Sequence, residues 1–320
     1  MRRLLLLSVL VLTFASPAEA GKKGAQKAGN AEGPKAATVT IGCGFEVGTT
    51  ARYAYEHVVR STKGEASTSH TSRAERRLTV VASDDTGIEV EVVDLSLSVE
   101  GEVTPMMRAI PALAEGAPGA VRVRLDHGTG QVTVQDAEAY AAALQAHFAS
   151  RRDQVVAATP GLDGVLLDQM LAMLARPELA TKDALEAVTP VLQQACVELV
   201  PGPTPYEVAL PNFLGGAPLP AKGTLTAHEK GGIAQVETRE QVDSRPIVQS
   251  ILEMLRAKGI ASLPPEMERI MAQTPPDVST RFVVRIDAAT GWPIGWTIER
   301  RTVAPPFSHR IDEIKVKRLP

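Results

Sequence analysis

The side chains best suited to chemistry in this sequence are six histidines and two cysteines. Zinc-binding histidines typically recur as His-x-His or His-x-x-x-His, and none of the six follows either pattern. They are His57, His70, His127, His147, His228 and His309. The sequence also lacks a Gly-x-Ser-x-Gly elbow, a Walker A loop and a Rossmann glycine fingerprint. We therefore expect no metal, no cofactor and no enzymatic activity.

An active site assembled only in three dimensions is the alternative to this expectation. General acid–base catalysis needs a titratable pair held close together. The candidate residues are His57, His127, Asp287 and Glu299. An enzyme would need two or more of them to converge in one pocket.

An Asp-x-x-Thr-Gly motif occurs at residues 126–130 and again at 287–291, each time after alternating apolar residues. Aspartate accepts backbone N–H bonds at the start of a turn, and glycine supplies the positive φ that closes a hairpin. A Ca²⁺ loop needs several oxygen ligands, and each copy offers one carboxylate. The motif therefore predicts two hairpin turns without a ligand. Whether it marks a true duplication of the chain stays open.

The strand that follows the second turn contains both tryptophans of the chain. Alternate residues of a strand share a face, which places Trp292, Ile294, Trp296 and Ile298 together. This face either packs as ordinary core against a helix or lines a cavity for an apolar ligand. Methionines on the predicted helices fit both interpretations, because thioethers fill irregular cores and adapt to varied ligands. The candidate ligand-binding residues are Trp292, Ile294, Trp296, Met254 and Met170.

The first twenty residues have the three parts of a secretory signal peptide: a basic start, an apolar run at 4–14 and small residues that end at Ala20. The apolar run is shorter than the roughly 20 residues that span a membrane, although a retained anchor is the alternative. Residues 21–38 carry four lysines and no bulky apolar side chain, which predicts a flexible basic linker. We therefore expect a periplasmic or secreted protein without an integral membrane segment after cleavage.

Two cysteines remain after cleavage, Cys43 and Cys196. Outside the cytoplasm two thiols can be oxidised to a disulfide. This bond would join the first strand to the helical middle of the chain; the alternative is two buried, unpaired thiols. The formal net charge of −3, the aromatic content of 4% and the dispersed basic residues argue against a nucleic-acid partner.

The pattern along the chain predicts strands, then helices, then strands. In the first group the alternation slips between Val92 and Val93, which indicates a β-bulge in a long, bent strand. Asp136 is the expected N-cap of the first helix, Thr189-Pro190 the expected restart of a later one, and the prolines between 201 and 211 predict an irregular segment. The predicted strands lie at 50–59, 75–83, 88–99, 222–230, 232–242, 279–287, 292–303 and 309–318. The predicted helices lie at about 136–150, 162–175, from 181 onward, 246–258 and 265–273.

Two short patterns resemble a known family. Phe45, Gly48 and Tyr53 form a Phe-x-x-Gly-x-x-x-x-Tyr opening, and residues 287–293 form Asp-x-x-Thr-Gly-Trp-Pro. With the signal peptide and the helical middle, the chain resembles a group of secreted bacterial proteins of unknown function in the LolA/LolB-like superfamily. The resemblance implies an antiparallel half-barrel, closed by helices around an apolar cavity that carries lipid-modified proteins or other apolar cargo. It implies no catalytic residues.

The sequence therefore predicts one α+β domain at 39–320, with a helical segment at about 135–200 and two loosely similar halves as an open alternative. Its architecture would be a curled antiparallel β-sheet, or half-barrel, with helices across the concave face. The predicted function is binding of an apolar or amphiphilic ligand, such as a lipid or lipoprotein-like cargo, in a cavity between sheet and helices. The alternative is an envelope structural or interaction module with a filled core, a protein partner and no ligand.

Overall fold

A computed structural model of the chain describes residues 38–174, 176–210, 219–246, 248, 269, 276–304 and 308–320. The strands in this part of the chain are β1 (Val39–Thr40), β2 (Thr50–Lys63), β3 (Ala66–Asp84), β4 (Gly87–Gly101), β5 (Ala120–Asp126), β6 (Val132–Val134), β7 (Glu198–Leu199), β8 (Gly202–Leu210), β9 (Leu219–Lys230), β10 (Ile233–Val242), β11 (Asp277–Asp287), β12 (Pro293–Ala304) and β13 (Ser308–Arg318). The helices are α1 (Pro105–Ala114), α2 (Ala137–Ala158), α3 (Gly164–Leu174), α4 (Pro177–Ala180) and α5 (Lys182–Leu192).

Eleven of the described strands form one antiparallel sheet, in the order β6-β5-β4-β3-β2-β13-β12-β11-β10-β9-β8. The order consists of two meanders, β2 to β6 and β8 to β13, which join where β13 pairs with β2. Each meander contains one Asp-x-x-Thr-Gly hairpin, β5–β6 in the first and β11–β12 in the second. The sheet is curled and does not close on itself, so the α+β half-barrel with helices is confirmed.

The predicted bend in β4 is present, but its position is different. Val92 and Val93 keep regular partners on β3, and the extra residue is Leu95, between the pairs Asp94–Arg76 and Ser96–Glu75. Arg76 and Asp94, the pair that precedes the bulge, also form an ion pair through their side chains. Beyond the bulge β4 runs past the buried part of the sheet, and Leu95 and Leu97 are 44% and 37% exposed.

Two local predictions are wrong for backbone reasons. Helix α1 lies in a stretch that the sequence assigned to the strand region; Thr104 accepts a hydrogen bond from the Met107 amide at 3.3 Å and Pro105 begins the helix. Strand β8 lies where the prolines predicted an irregular segment. It is the outer neighbour of β9, and an edge strand tolerates prolines because half of its N–H groups have no strand partner.

The helical middle is confirmed at α2 to α5, with two differences at the expected caps. Asp136 is the N-cap of α2, but its φ of 53° lies in the left-handed region and its side chain makes no capping bond. Helix α5 continues through position 190 instead of restarting there. Proline keeps a helical φ, so the helix can pass through it even though one N–H is missing.

The apolar core has two main parts. The larger one lies between the sheet and α5 and contains both tryptophans. A second cluster lies within the helical middle, around Leu113, Leu144, Phe148, Leu167 and Leu171. Tyr140 of α2 packs against both clusters, so the space between them lies beside α2.

Several predictions fall outside the described residues. They are the signal peptide at 1–20, all but the last residue of the linker at 21–38, most of the helices at 246–258 and 265–273, and Met254. Among the described helices, none is long and apolar enough to cross a membrane.

Candidate functional site

Cys43 and Cys196 form a disulfide, as the sequence predicted. Backbone hydrogen bonds flank it: the Ile41 amide donates to the Val197 carbonyl at 2.9 Å, and the Cys196 amide donates to the Gly42 carbonyl at 3.2 Å. The disulfide therefore joins the N-terminal segment at 41–45 to the chain that follows α5.

The two Asp-x-x-Thr-Gly copies are hairpin turns of the same geometry. In each turn the aspartate carboxylate accepts a hydrogen bond from the threonine amide. The distance is 2.6 Å from Thr129 to Asp126 and 3.0 Å from Thr290 to Asp287. The final glycine has φ of 73° in the first turn and 76° in the second. The turn prediction is confirmed. Among the described residues, no group of three or more His, Cys, Asp or Glu could hold a metal ion.

The second turn has an additional role, because the N-terminal segment docks on it. The Gly42 amide donates to the Ala288 carbonyl and the Gly44 amide to the Thr290 carbonyl, both at 2.8 Å. A Cβ on Gly42 would lie 2.1 Å from the Ala289 carbonyl oxygen. Glycine at position 42 therefore permits a backbone approach that no other residue would allow.

Both tryptophans lie in the packed core between sheet and helices. Trp292 is 2% exposed, stacks on Phe45 with 4.8 Å between ring centroids, and donates its indole N–H to the Gly44 carbonyl at 3.1 Å. Trp296 is 3% exposed and contacts the rings of Tyr53 and Tyr55. These contacts are those of a filled core. A role of either tryptophan in ligand binding stays a prediction.

Ile294 is less buried than either tryptophan and breaks the alternation along the strand. Pro293 pairs with Ile286 and Gly295 pairs with Arg285, so Ile294 is the extra residue of a bulge. It lines a second groove, of about 820 Å³, whose lining also includes Trp296, Tyr55 and Thr297. Alternation along the strand did not reveal this bulge, although Pro293 and Gly295 are residues that often accompany one.

A larger space, here called the helix-side cleft, lies between β4 and the helical middle. Its volume is about 950 Å³. One wall consists of Val92, Leu95 and Leu97 of β4 together with Val121 of β5. The other consists of Ile110 and Leu113 of α1, Leu144 and Phe148 of α2, Met170 of α3, and Leu179 of α4. Of the five predicted ligand-binding residues, Met170 is the one that the described structure places in this cleft.

The charges of the helix-side cleft are few and unevenly placed. Arg76, Asp94 and Glu115 are the charged residues among its described lining. Arg76 donates from Nε to the Asp94 carboxylate at 2.6 Å, with 13% of the Arg76 side chain and 64% of the Asp94 side chain exposed. Glu115 is 75% exposed and pairs with Arg151 at 2.7 Å. Among these three residues the cation is therefore the most buried, and both anions are largely exposed.

Tyr55 connects the helix-side cleft to the tryptophan core. The guanidinium carbon of Arg76 lies 4.7 Å from the centre of the Tyr55 ring, and the Tyr55 and Trp296 rings meet edge to face with 5.8 Å between centroids. The Tyr55 hydroxyl donates to the Ala187 carbonyl of α5 at 3.4 Å. Burial raises the pKa of the Tyr55 phenol, so its proton stays on the oxygen at neutral pH. Tyr55 thus contacts both Trp296 and a charged residue of the cleft lining.

The candidate acid–base residues lie on separate elements. His57 of β2 contacts Asp312 of β13 at 3.2 Å. His127 and Asp287 lie in the two different hairpin turns, and Glu299 lies on the face of β12 opposite the tryptophans. Of these candidates, His57 has a close acidic partner, Asp312, which the sequence pattern did not suggest.

Buried charges hold the helices and the central strands together. Burial alone would raise the pKa of Glu186 on α5, but Arg300 and Lys182 hold it below its usual value; Arg300 lies 3.2 Å from the carboxylate. Burial would likewise raise the pKa of Asp312, but hydrogen bonds from His57 and Arg310 lower it to about 2. No local motif marks the pairing of Arg300 with Glu186 or of His57 with Asp312, because the members of these two pairs are far apart in the chain.

No protein-family model and no curated protein matches the sequence. Solved structures are similar at low scores. The match to a structure of lipid–protein interactions in lipovitellin covers 86% of this chain and 25% of the lipovitellin chain, at 9% identity and a TM-score of 0.43. The match to Rv2717c from M. tuberculosis covers 84% of this chain and 92% of that chain, at 9% identity and a TM-score of 0.22. The match to an outer membrane channel from Pseudomonas putida covers 86% of this chain and 96% of the channel chain, at 9% identity and a TM-score of 0.20.

These likenesses assign neither a family nor a function. The chain spans a quarter of the length of the lipovitellin chain that it matches. The half-barrel implied by the sequence resemblance is present, whereas membership of the LolA/LolB-like superfamily stays a prediction.

Proposed function

We propose that this is an exported, non-enzymatic protein that binds an apolar or amphiphilic ligand in the helix-side cleft. The observation that carries the proposal is the cleft itself: about 950 Å³ of space with leucine, isoleucine, phenylalanine and methionine walls. Small-molecule sites commonly have volumes of about 300–1,000 Å³ and mostly apolar walls. The signal-peptide pattern and the Cys43–Cys196 disulfide support an extracytoplasmic location.

The exposure of the cleft walls supports the same proposal. Leu95 and Leu97 are among the most exposed large apolar residues in the described part of the chain, and both line the cleft. Each square ångström of apolar surface in water costs about 25 cal/mol relative to burial. A hydrocarbon chain in the cleft would cover both leucines and so gain that free energy.

The function can be tested with Nile red, whose fluorescence rises in an apolar environment, and with dodecanol as a competitor. Ala112 lines the cleft on α1 and is exposed, so Ala112→Trp would occupy the cleft without leaving a void. We expect about tenfold weaker Nile red binding, because the new ring takes the space of the ligand. The matched control is Ala146→Trp, at an exposed position of α2 outside the cleft lining.

Three results would count against the proposal. The first is that Nile red does not bind. The second is that dodecanol fails to displace it, and the third is that both tryptophan variants weaken binding equally. Circular dichroism of each variant shows whether a loss of binding reflects a loss of fold.

The packing of the tryptophans favours a second candidate, an envelope interaction module whose interior is full. Trp292 and Trp296 pack against three aromatic rings and are almost completely buried. This alternative predicts no Nile red binding and a reproducible protein partner in cross-linking of intact envelopes. Displaceable Nile red binding that Ala112→Trp weakens would contradict it.

A further inference from the structure

We propose that the ligand of the helix-side cleft is an amphiphile with an anionic head group, a carboxylate or a phosphate, and that Arg76 binds this head. The inference rests on the proposed function and specifies its ligand. Its first support is the position of the charges. Within the described lining of the cleft, Arg76 is the positively charged residue, and its side chain is far less exposed than those of Asp94 and Glu115.

The second support is the way Arg76 is held. Its guanidinium lies over the Tyr55 ring, and Tyr55 is itself fixed by Trp296 and the Ala187 carbonyl. A guanidinium is planar, carries five N–H donors and remains charged at all physiological pH values. Its shape matches the two oxygens of a carboxylate or phosphate. The arginine head is therefore presented in a fixed orientation at the wall of an apolar space.

The third support is the nature of its present partner. Asp94 pairs with Arg76 at 2.6 Å, yet 64% of the Asp94 side chain is exposed, against 13% for Arg76. A nearly buried cation needs a counter-charge, whereas an exposed carboxylate loses little when it turns into water. A ligand head can therefore replace Asp94 at Arg76 without leaving a buried charge unpaired.

The apolar walls then determine where the tail lies. The head at Arg76 is next to Leu95 and Leu97, and the cleft continues to Leu144, Phe148 and Met170 of the helices. A single hydrocarbon tail would extend from β4 toward α2 and α3. A free fatty acid and a phosphate-headed lipid share this chemistry, and the experiment below distinguishes them.

The test measures competition with Nile red by dodecanoate, dodecyl phosphate, dodecanol and dodecylamine, which share one tail. We expect the wild type to bind dodecanoate or dodecyl phosphate about tenfold more tightly than dodecanol, and dodecylamine least tightly, because the head gains a charge-assisted hydrogen bond. A preference for dodecanoate points to a fatty acid, and a preference for dodecyl phosphate points to a phosphate-headed lipid. Equal binding of all four compounds would overturn the inference while leaving the proposed function intact.

Variants on one strand provide the matched control. Arg76→Gln should abolish the preference for the anionic heads, so that dodecanoate no longer binds more tightly than dodecanol. Arg77→Gln changes the adjacent residue, which is exposed on the opposite face of β3, and should preserve the preference. If Arg76→Gln keeps the wild-type ratio of dodecanoate to dodecanol binding, the inference is wrong.

Asp94→Asn tests the exchange without changing Arg76, and circular dichroism shows whether the fold survives the loss of this counter-charge. It should tighten dodecanoate binding several-fold, since the competing carboxylate is gone, and so raise the ratio of dodecanoate to dodecanol binding. An unchanged or weaker affinity for dodecanoate in this variant would contradict the proposed exchange. Failure of every compound to displace Nile red would instead contradict the proposed function.

Discussion

The indole N–H of Trp292 donates a 3.1 Å hydrogen bond to the carbonyl oxygen of Gly44, 248 residues earlier in the chain. The same two regions are joined by the stacking of Phe45 on Trp292 and by the backbone bonds of the second turn. The tryptophan that follows the Asp-x-x-Thr-Gly motif therefore fixes the N-terminal segment. In the first copy of the motif, Gln131 occupies the corresponding position.

Trp292→Phe should lower the free energy of unfolding by about 1–2 kcal/mol, because it removes a buried hydrogen bond and leaves a small void. Trp296→Phe is the control, since Trp296 is equally buried but packs between Tyr53 and Tyr55. Urea denaturation measures both variants. An equal loss in the two would show that the bond to Gly44 contributes nothing measurable.

Removal of the disulfide should destabilise the protein by about 2–5 kcal/mol, the usual range for a native bridge. The bond joins residues 153 positions apart, so its loss releases a long loop in the unfolded chain. The measurement is urea denaturation of the Cys43→Ala/Cys196→Ala variant and of the wild type with and without reductant. A wild type that is equally stable in reductant, with its thiols shown to be reduced, would contradict the prediction.

Gly291→Ala should lower the free energy of unfolding by about 2–4 kcal/mol. Alanine disfavours the φ of 76°, and its Cβ would lie 2.2 Å from the Gly42 carbonyl oxygen. Gly64→Ala in the β2–β3 turn separates the two effects. Its φ is 60°, but a Cβ there would meet nothing within 4 Å. We therefore expect roughly 1 kcal/mol from Gly64→Ala in thermal or urea unfolding. An equal loss of unfolding free energy in the two variants would show that the close approach of Gly42 to the turn adds nothing to the effect of Gly291→Ala.

Asp312 should make the stability depend on pH below about 4. Burial by itself would raise the pKa of Asp312, but hydrogen bonds from His57 and Arg310 lower this pKa from 3.8 to about 2. A carboxyl with a depressed folded pKa stabilises above its unfolded pKa, and this contribution is lost as the pH falls through the folded pKa. The difference corresponds to about 2 kcal/mol. Asp312→Asn should remove this part of the pH dependence between about pH 4 and 2, whereas Asp85→Asn, at an exposed turn position, should not.

The helix-side cleft shows how far sequence patterns lead toward a site. Helical spacing put Met170 on an apolar face, and Met170 does line the cleft. The opposite wall was not predicted, because Leu95 and Leu97 looked like ordinary members of an alternating strand. They line the cleft since a bulge and the end of the helical layer leave them uncovered. The sequence did not indicate Arg76 either, because its partners Asp94 and Tyr55 lie on the two neighbouring strands and no local pattern joins them to it.

The sequence by itself determined the features that depend on neighbouring residues. Turn chemistry at Asp126 and Asp287, alternation along the strands and the presence of only two cysteines predicted the hairpins, the sheet and the disulfide. The tertiary structure decided what each face meets. Alternation places Trp292 and Trp296 on one side of a strand, but the pairing of β13 with β2 and the docking of residues 41–45 make that side a filled core. Long-range contacts of this kind depend on the whole chain, so no local spacing records them.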